Sequence, residues 1–290
     1  MHTPQRIEVD RFLASGYYDN AFEIWPGDTF LARAMCGSAA LRSALISEVL
    51  ERTGHAAVPA FLENTDLKVF AHAKLAPMVQ GLFPQRERMI VLERLERSVV
   101  FLTPATIANT LEKTPWLKTA WDLANLYLAS FDAKRLSDDA PDIVGLSEEA
   151  TCYVSVEYFD ANNRFDDYVV HEVAHIFHNC KRETLGLNVI RHREWLLEID
   201  FAKRETFAYA CEAYSRILAL GETRSTRNRL LSELADGAMP PDERVHGAEY
   251  VDILGEAVAA RNGWKCIRER CSPSKPTRRE QATERRSAPT

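Results

Sequence analysis

The segment VVHEVAHIFHN, Val169 to Asn179, constrains this chain more than any other part of it. His171 and His175 stand four apart, Glu172 follows the first, and Val170, Val173, Ala174, Ile176 and Phe177 around them are uncharged. On a helix, positions i and i+4 share a face and lie about 6 Å apart along the axis. A helix this apolar belongs in a core, and burying two imidazoles and a carboxylate without a partner is costly. A shared cation removes that cost, so the fold must bring a further ligand to this helix. The rival reading is a metal-free helical protein whose core histidines are satisfied by other groups.

Two imidazoles plus a carboxylate, with one position left open, form a recurrent catalytic zinc set. A bound cation acidifies water, and Glu172 is placed to take the proton. This is the physical content of the HExxH motif. His178 returns to the same face but lies about 10.5 Å along the axis from His171, too far to share one ion on a straight helix. It reads as a group behind the ligands or at the surface.

The third ligand must come from elsewhere. FAKRETFAYACEAYSRILAL, residues 201–220, repeats apolar residues at helical spacing and ends at Gly221. Phe207, Cys211, Tyr214 and Leu218 make its apolar stripe, while Glu205, Tyr209, Glu212 and Arg216 share another face. Glu205 and Glu212 are the two carboxylates on offer; the simpler reading of that face is a solvated Glu212–Arg216 pair. Glu183, Glu194 and Glu198 fall nearer loops.

The rest of the chain sets the frame. Thr29 to about Arg52 reads as a helix closed by Gly54, after an irregular lead-in over 1–27. Further helical segments follow at 60–80, 85–98 and 104–134, interrupted by Pro77, Pro84, Pro104 and Pro115. The polar stretch 132–150 marks a lobe boundary. Thr151 to Phe159 alternates like a half-buried strand, and Asn162 or Asn163 then caps the HEVAH helix with Asp166 and Asp167 in its first turn. Residues 222–247 read as a charged helix-and-loop stretch, and a last helix lies near 248–262. The expected fold is α+β and mainly α. A helical lobe, 1–135, precedes a zincin-like domain, 136–262, with a small sheet beside the active-site helix, and a basic disordered tail covers 263–290.

Composition excludes more than it identifies. Charged residues make up 27% and hydrophobic residues 46%, the balance of an ordinary globular protein. No apolar run is long enough to span a membrane, and the opening MHTPQRIEVDRF lacks the pattern of a secretory signal, which makes a cytoplasmic location the expectation. The net charge is −6, yet residues 263–290 carry eight Lys/Arg against three Asp/Glu. That tail would suit an acidic partner, though a solvated end is the simpler reading, and the acidic body argues against nucleic acid as substrate. The six cysteines form no CxxC pair and read as reduced.

His171-Glu172-Val173-Ala174-His175 followed by Glu205-Thr206-Phe207-Ala208-Tyr209-Ala210-Cys211-Glu212-Ala213-Tyr214 resembles the gluzincin-type zincins, in particular anthrax-lethal-factor-like proteins and the Mlc titration factor family. The likeness spans about 150–220. It implies a zinc metallopeptidase acting on a peptide or protein: one zinc ion on His171, His175 and Glu205, Glu172 as general base, and Glu212 close behind the ligand histidines. It also implies that the 151–159 strand, if its edge is open, can receive substrate by strand addition; a structural strand within a closed sheet is the equal alternative. Lethal-factor-like enzymes place an oxyanion-stabilising tyrosine just before the third-ligand helix; here that run is REWLLEIDFAKR and holds none. Tyr209, Tyr214 and His246 are the remaining candidates. The alternative function is a catalytically silent metal-binding regulatory protein on the same fold.

Overall fold

A computed structural model describes residues 3–54, 65–148, 150–160, 163–189 and 193–273. The chain is α+β and mainly α, with a small mixed sheet. It forms two compact units that interleave in sequence: Met1–Ala73 with Leu95–Arg164, and Lys74–Arg94 with Phe165–Thr290.

In the first unit, α1 (Thr3–Ser15) occupies part of the stretch expected to be irregular. Val9 and Phe12, one turn apart, are buried and give it a reason to form. Helix α2 (Phe30–Thr53) begins on Thr29, whose hydroxyl accepts the Ala32 N–H at 3.2 Å, and ends at Gly54 with φ 52°. It packs against α6 (Leu117–Ala129), which follows α5 (Ile107–Lys113) across Pro115. Leu41, Leu45, Ile107, Leu111, Leu123 and Leu128 are fully buried in this core. The guanidinium of Arg42, also buried, donates to the carbonyls of Leu111 and Pro115, which ties α2 to the turn between α5 and α6.

The sheet belongs to this unit. Strand β3 (Thr151–Ser155) lies centrally, parallel to β1 (Val99–Leu102) and antiparallel to β2 (Gly145–Glu148). A parallel pair needs a long crossover, which the α5–α6 segment supplies. The strand expected over 151–159 stops at Ser155; Val156–Asp160 turns into a 3-10 helix, where the Ser155 hydroxyl accepts the Glu157 N–H at 3.1 Å.

The unit boundary falls within α3 (Leu67–Leu82), which carries Pro77 inside it rather than ending there. Expectations at 60–64 lie outside the described residues. The remaining elements are α4 (Gln85–Glu96), α7 (Tyr168–Asn179), α8 (Arg204–Leu220), α9 (Arg224–Ala235), α10 (Gly247–Ala259) and α11 (Gly263–Cys271). In the second unit α8 packs on α7, α9, α10 and α11. The start of the 263–290 stretch is thus helical: Trp264, Ile267 and Cys271 are buried, and Gly81 admits the Trp264 indole where a side chain would collide. Beyond residue 273 that stretch lies outside the described residues. The Phe83 and Phe177 rings meet edge-on at 5.1 Å. Arg182, 2% exposed, is bonded to Glu87 at 2.9 Å and to the Asn188 carbonyl at 3.0 Å.

Candidate metal centre

Helix α7 starts one residue after Asp167, which is itself the N-cap in place of Asn162 or Asn163. Its carboxylate accepts the Val170 N–H at 3.4 Å and binds the Lys74 ammonium at 2.7 Å while fully buried. A short acidic side chain satisfies the first free amides of a helix and suits its positive end. Val169, Val173 and Phe177 fix the helix in the core, as do Phe207, Ala208 and Cys211 on α8. The pairing of these two helices carries the site.

His171, His175 and Glu205 converge, with one ligand atom of each within 4.8 Å of the others, and this cluster could hold a metal ion. The two Nε2 atoms are 3.2 Å apart. Oε2 of Glu205 lies 3.5 Å from Nε2 of His175 and 3.9 Å from that of His171. Ligands about 2.0–2.1 Å from a tetrahedral zinc ion stand about 3.4 Å from each other. The donor set and its spacing therefore fit such an ion, and three ligands leave one position open.

The outer nitrogens of both imidazoles are engaged. Nδ1 of His171 lies 3.0 Å from Oε2 of Glu212, whose Oε1 accepts the Asp167 N–H at 2.6 Å. Glu212 is buried, so it is not half of a solvated pair; its carboxylate holds His171 from the Nδ1 side, and it is not part of the His171–His175–Glu205 cluster. Nδ1 of His175 lies 3.1 Å from Nε2 of His178, whose Nδ1 donates to Oδ1 of Asn179 at 3.0 Å. His178 is buried and stands behind the ligand, not at the surface. With His178 Nδ1 donating, its Nε2 accepts and His175 donates Nδ1–H. His175 then turns an Nε2 lone pair toward the cluster, and both imidazoles are held from behind with Nε2 facing the same point, the arrangement that outer-shell partners impose on metal-binding imidazoles.

Electrostatics agree. Burial disfavours charge on His171, but the hydrogen bond and charge of Glu212, with Glu172 and Glu205 beyond, outweigh it and raise its pKa to about 9. The site thus attracts positive charge. Burial, reinforced by His175 and Arg204, lowers His178 to about 3 and keeps it a neutral acceptor. For Glu205, burial favours the neutral acid, yet His175, His171 and Arg244 overcome it and depress the pKa. Burial and the charges of Glu212 and Glu205 push Tyr209 up to about 12, and its ring stands edge-on to His171 at 4.5 Å.

Glu172 is buried on α7 beside His171, and its charge acts on that imidazole. Glu194 and Glu198 serve local contacts, to Lys181 and to backbone amides of 194 and 195. Arg244, which sequence reasoning did not single out, reaches Oε1 of Glu205 at 3.1 Å. An arginine thirty-nine residues from its partner, in a loop, gives no periodic signal. Comparison with protein-family models, with curated proteins and with solved structures finds no match to this chain.

Proposed function

We propose that the chain is a zinc-dependent metallopeptidase, with His171, His175 and Glu205 as ligands and Glu172 as general base. The observation that carries this reading is the convergence of two imidazole Nε2 atoms and a carboxylate oxygen at tetrahedral spacing, with both outer nitrogens already held. The likeness of the Glu205–Tyr214 run to the gluzincin third-ligand helix supports it, as does the carboxylate directly after the first ligand. When bound, zinc supplies Lewis acidity that polarises a carbonyl and makes water a stronger acid.

The protein side chains then have separate tasks. Glu212 and His178 hold the two imidazoles in the tautomer that presents Nε2 inward. Glu205 would supply the one negative charge among the three ligands, so its carboxylate would only partly neutralise a bound divalent cation. Glu172 accepts a proton and returns it to the leaving amine, a role that a buried carboxylate close to a cation can fill.

The test has two parts. Protein purified without a histidine tag should carry one zinc per chain by elemental analysis and cleave members of a fluorescence-quenched peptide library in a chelator-sensitive manner. Glu172→Gln should retain the zinc and lose the cleavage. Stoichiometric zinc with no cleavage of any library member would favour a metal-binding regulatory protein instead; absence of zinc binding would remove both readings.

A further inference from the structure

The loop between α9 and α10 carries PPDER, residues 240–244, to the edge of the metal centre. Asp242 shapes it by accepting the Arg244 backbone N–H at 2.8 Å and then grips the guanidinium, at 2.9 Å to Nε and 2.5 Å to Nη2. The same Nη2 reaches Oε1 of Glu205 at 3.1 Å, on the side of that carboxylate away from Oε2 and the histidines. Two carboxylates thus hold one edge of a planar, permanently charged group. Among the described residues the other nitrogen, Nη1, has no hydrogen-bond partner, and the side chain remains 63% exposed.

We propose that Arg244 is a catalytic residue: its Nη1 edge donates to the carbonyl oxygen of the peptide bond being cleaved. This rests on the peptidase reading above. Asp242 cancels the charge of Arg244 over distance, so the exposed edge suits a neutral carbonyl better than a substrate carboxylate. As the bond is attacked, that oxygen gains negative charge, and a donor fixed beforehand stabilises it without reorganising. Asp242 is a positioning residue that sets the guanidinium angle. The role is the one that the tyrosine-free run REWLLEIDFAKR leaves open. Tyr209 is the competing donor, since its ring also borders the ligands.

The experiment compares wild type with Arg244→Gln, Arg244→Lys, Asp242→Asn and Tyr209→Phe. Each is read by kcat and KM on a peptide from the library, by the Kd of a phosphinic peptide, which mimics the tetrahedral stage, and by the Kd for zinc. Removing one such donor costs about 100-fold or more in kcat. Arg244→Gln should show that loss with KM within about threefold and a matching rise in the phosphinic peptide Kd, both at saturating zinc, so that any weaker zinc binding through Glu205 is read separately. Arg244→Lys should recover only part of the activity, and Asp242→Asn should fall between wild type and Arg244→Gln. The proposal is overturned if kcat holds in Arg244→Gln at saturating zinc, or if Tyr209→Phe alone carries the loss. A wild type that cleaves nothing would refute the peptidase reading. Phosphinic peptide affinity would then decide Arg244 separately, with equal Kd for wild type and Arg244→Gln counting against it.

Discussion

The two histidines proposed as ligands differ in what stands behind them, and that difference is measurable. His171 leans on a carboxylate and His175 on a neutral imidazole. A charged acceptor raises ligand basicity more than a neutral one. Glu212→Gln should therefore weaken zinc binding more than His178→Gln, within the roughly 10–100-fold range usual for outer partners, as competition with a chromophoric chelator would show. The raised pKa of His171 also gives the metal-free protein a pH signature. Its folded-state value, about 9, exceeds the ordinary 6.5. The stabilisation from this group is complete below about 6.5 and disappears as pH rises through about 9. Chelator-treated protein should lose urea stability across that window, while Glu212→Gln should flatten the loss. Zinc must also displace the His171 proton, so calorimetry at neutral pH in buffers of different ionisation heat should record proton release.

Helix α7 is held by its first residue boundary as much as by its apolar face. Asp167 caps it, binds Lys74 and offers its backbone N–H to Glu212. Asp167→Ala would free amides of the first turn and leave Lys74 without its buried partner, at a cost of about 2–4 kcal/mol, readable as a lower urea midpoint. The apolar period made the existence of α7, α8 and α2 legible from sequence, and His171, His175 and the glycine that ends α2 needed nothing more; between Glu205 and Glu212 the period did not choose, and only the resemblance of the run to a third-ligand helix pointed to Glu205. The cap was harder: several Asn and Asp residues precede Tyr168, and only the distant Lys74 distinguishes Asp167 among them. Strand β1 was hidden because VVFL is four residues long and follows a helix after a turn of only two residues, Arg97 and Ser98, with no Gly or Pro to mark it. The 3-10 turn after Ser155 was hidden by a sequence that keeps alternating. His178 shares a face with His175, so its place behind that imidazole was one of two readings open from spacing; Arg244 meets Glu205 from a distant loop, and such a pairing leaves no local pattern.

At the scale of the molecule, the second compact unit is assembled from two separated stretches, and Arg182–Glu87 joins them in its interior. Breaking a buried ion pair from one side typically costs about 3–5 kcal/mol. Glu87→Ala should destabilise by about that amount in chemical denaturation, and the loss should be smaller in an Arg182→Leu background, where no stranded charge remains. Zinc should raise the midpoint of thermal unfolding in proportion to the logarithm of its concentration, a gain of about 2.7 kcal/mol at one hundred times its Kd, and a chelator should reverse it. One carboxylate, that of Glu212, touches both the entry of α7 and a ligand imidazole, so the two helices are already in register before any ion arrives. The metal-free protein is therefore a finished receptor: capture of the ion, with loss of the His171 proton, should leave its circular dichroism unchanged, unlike a zinc finger, which must fold around its metal.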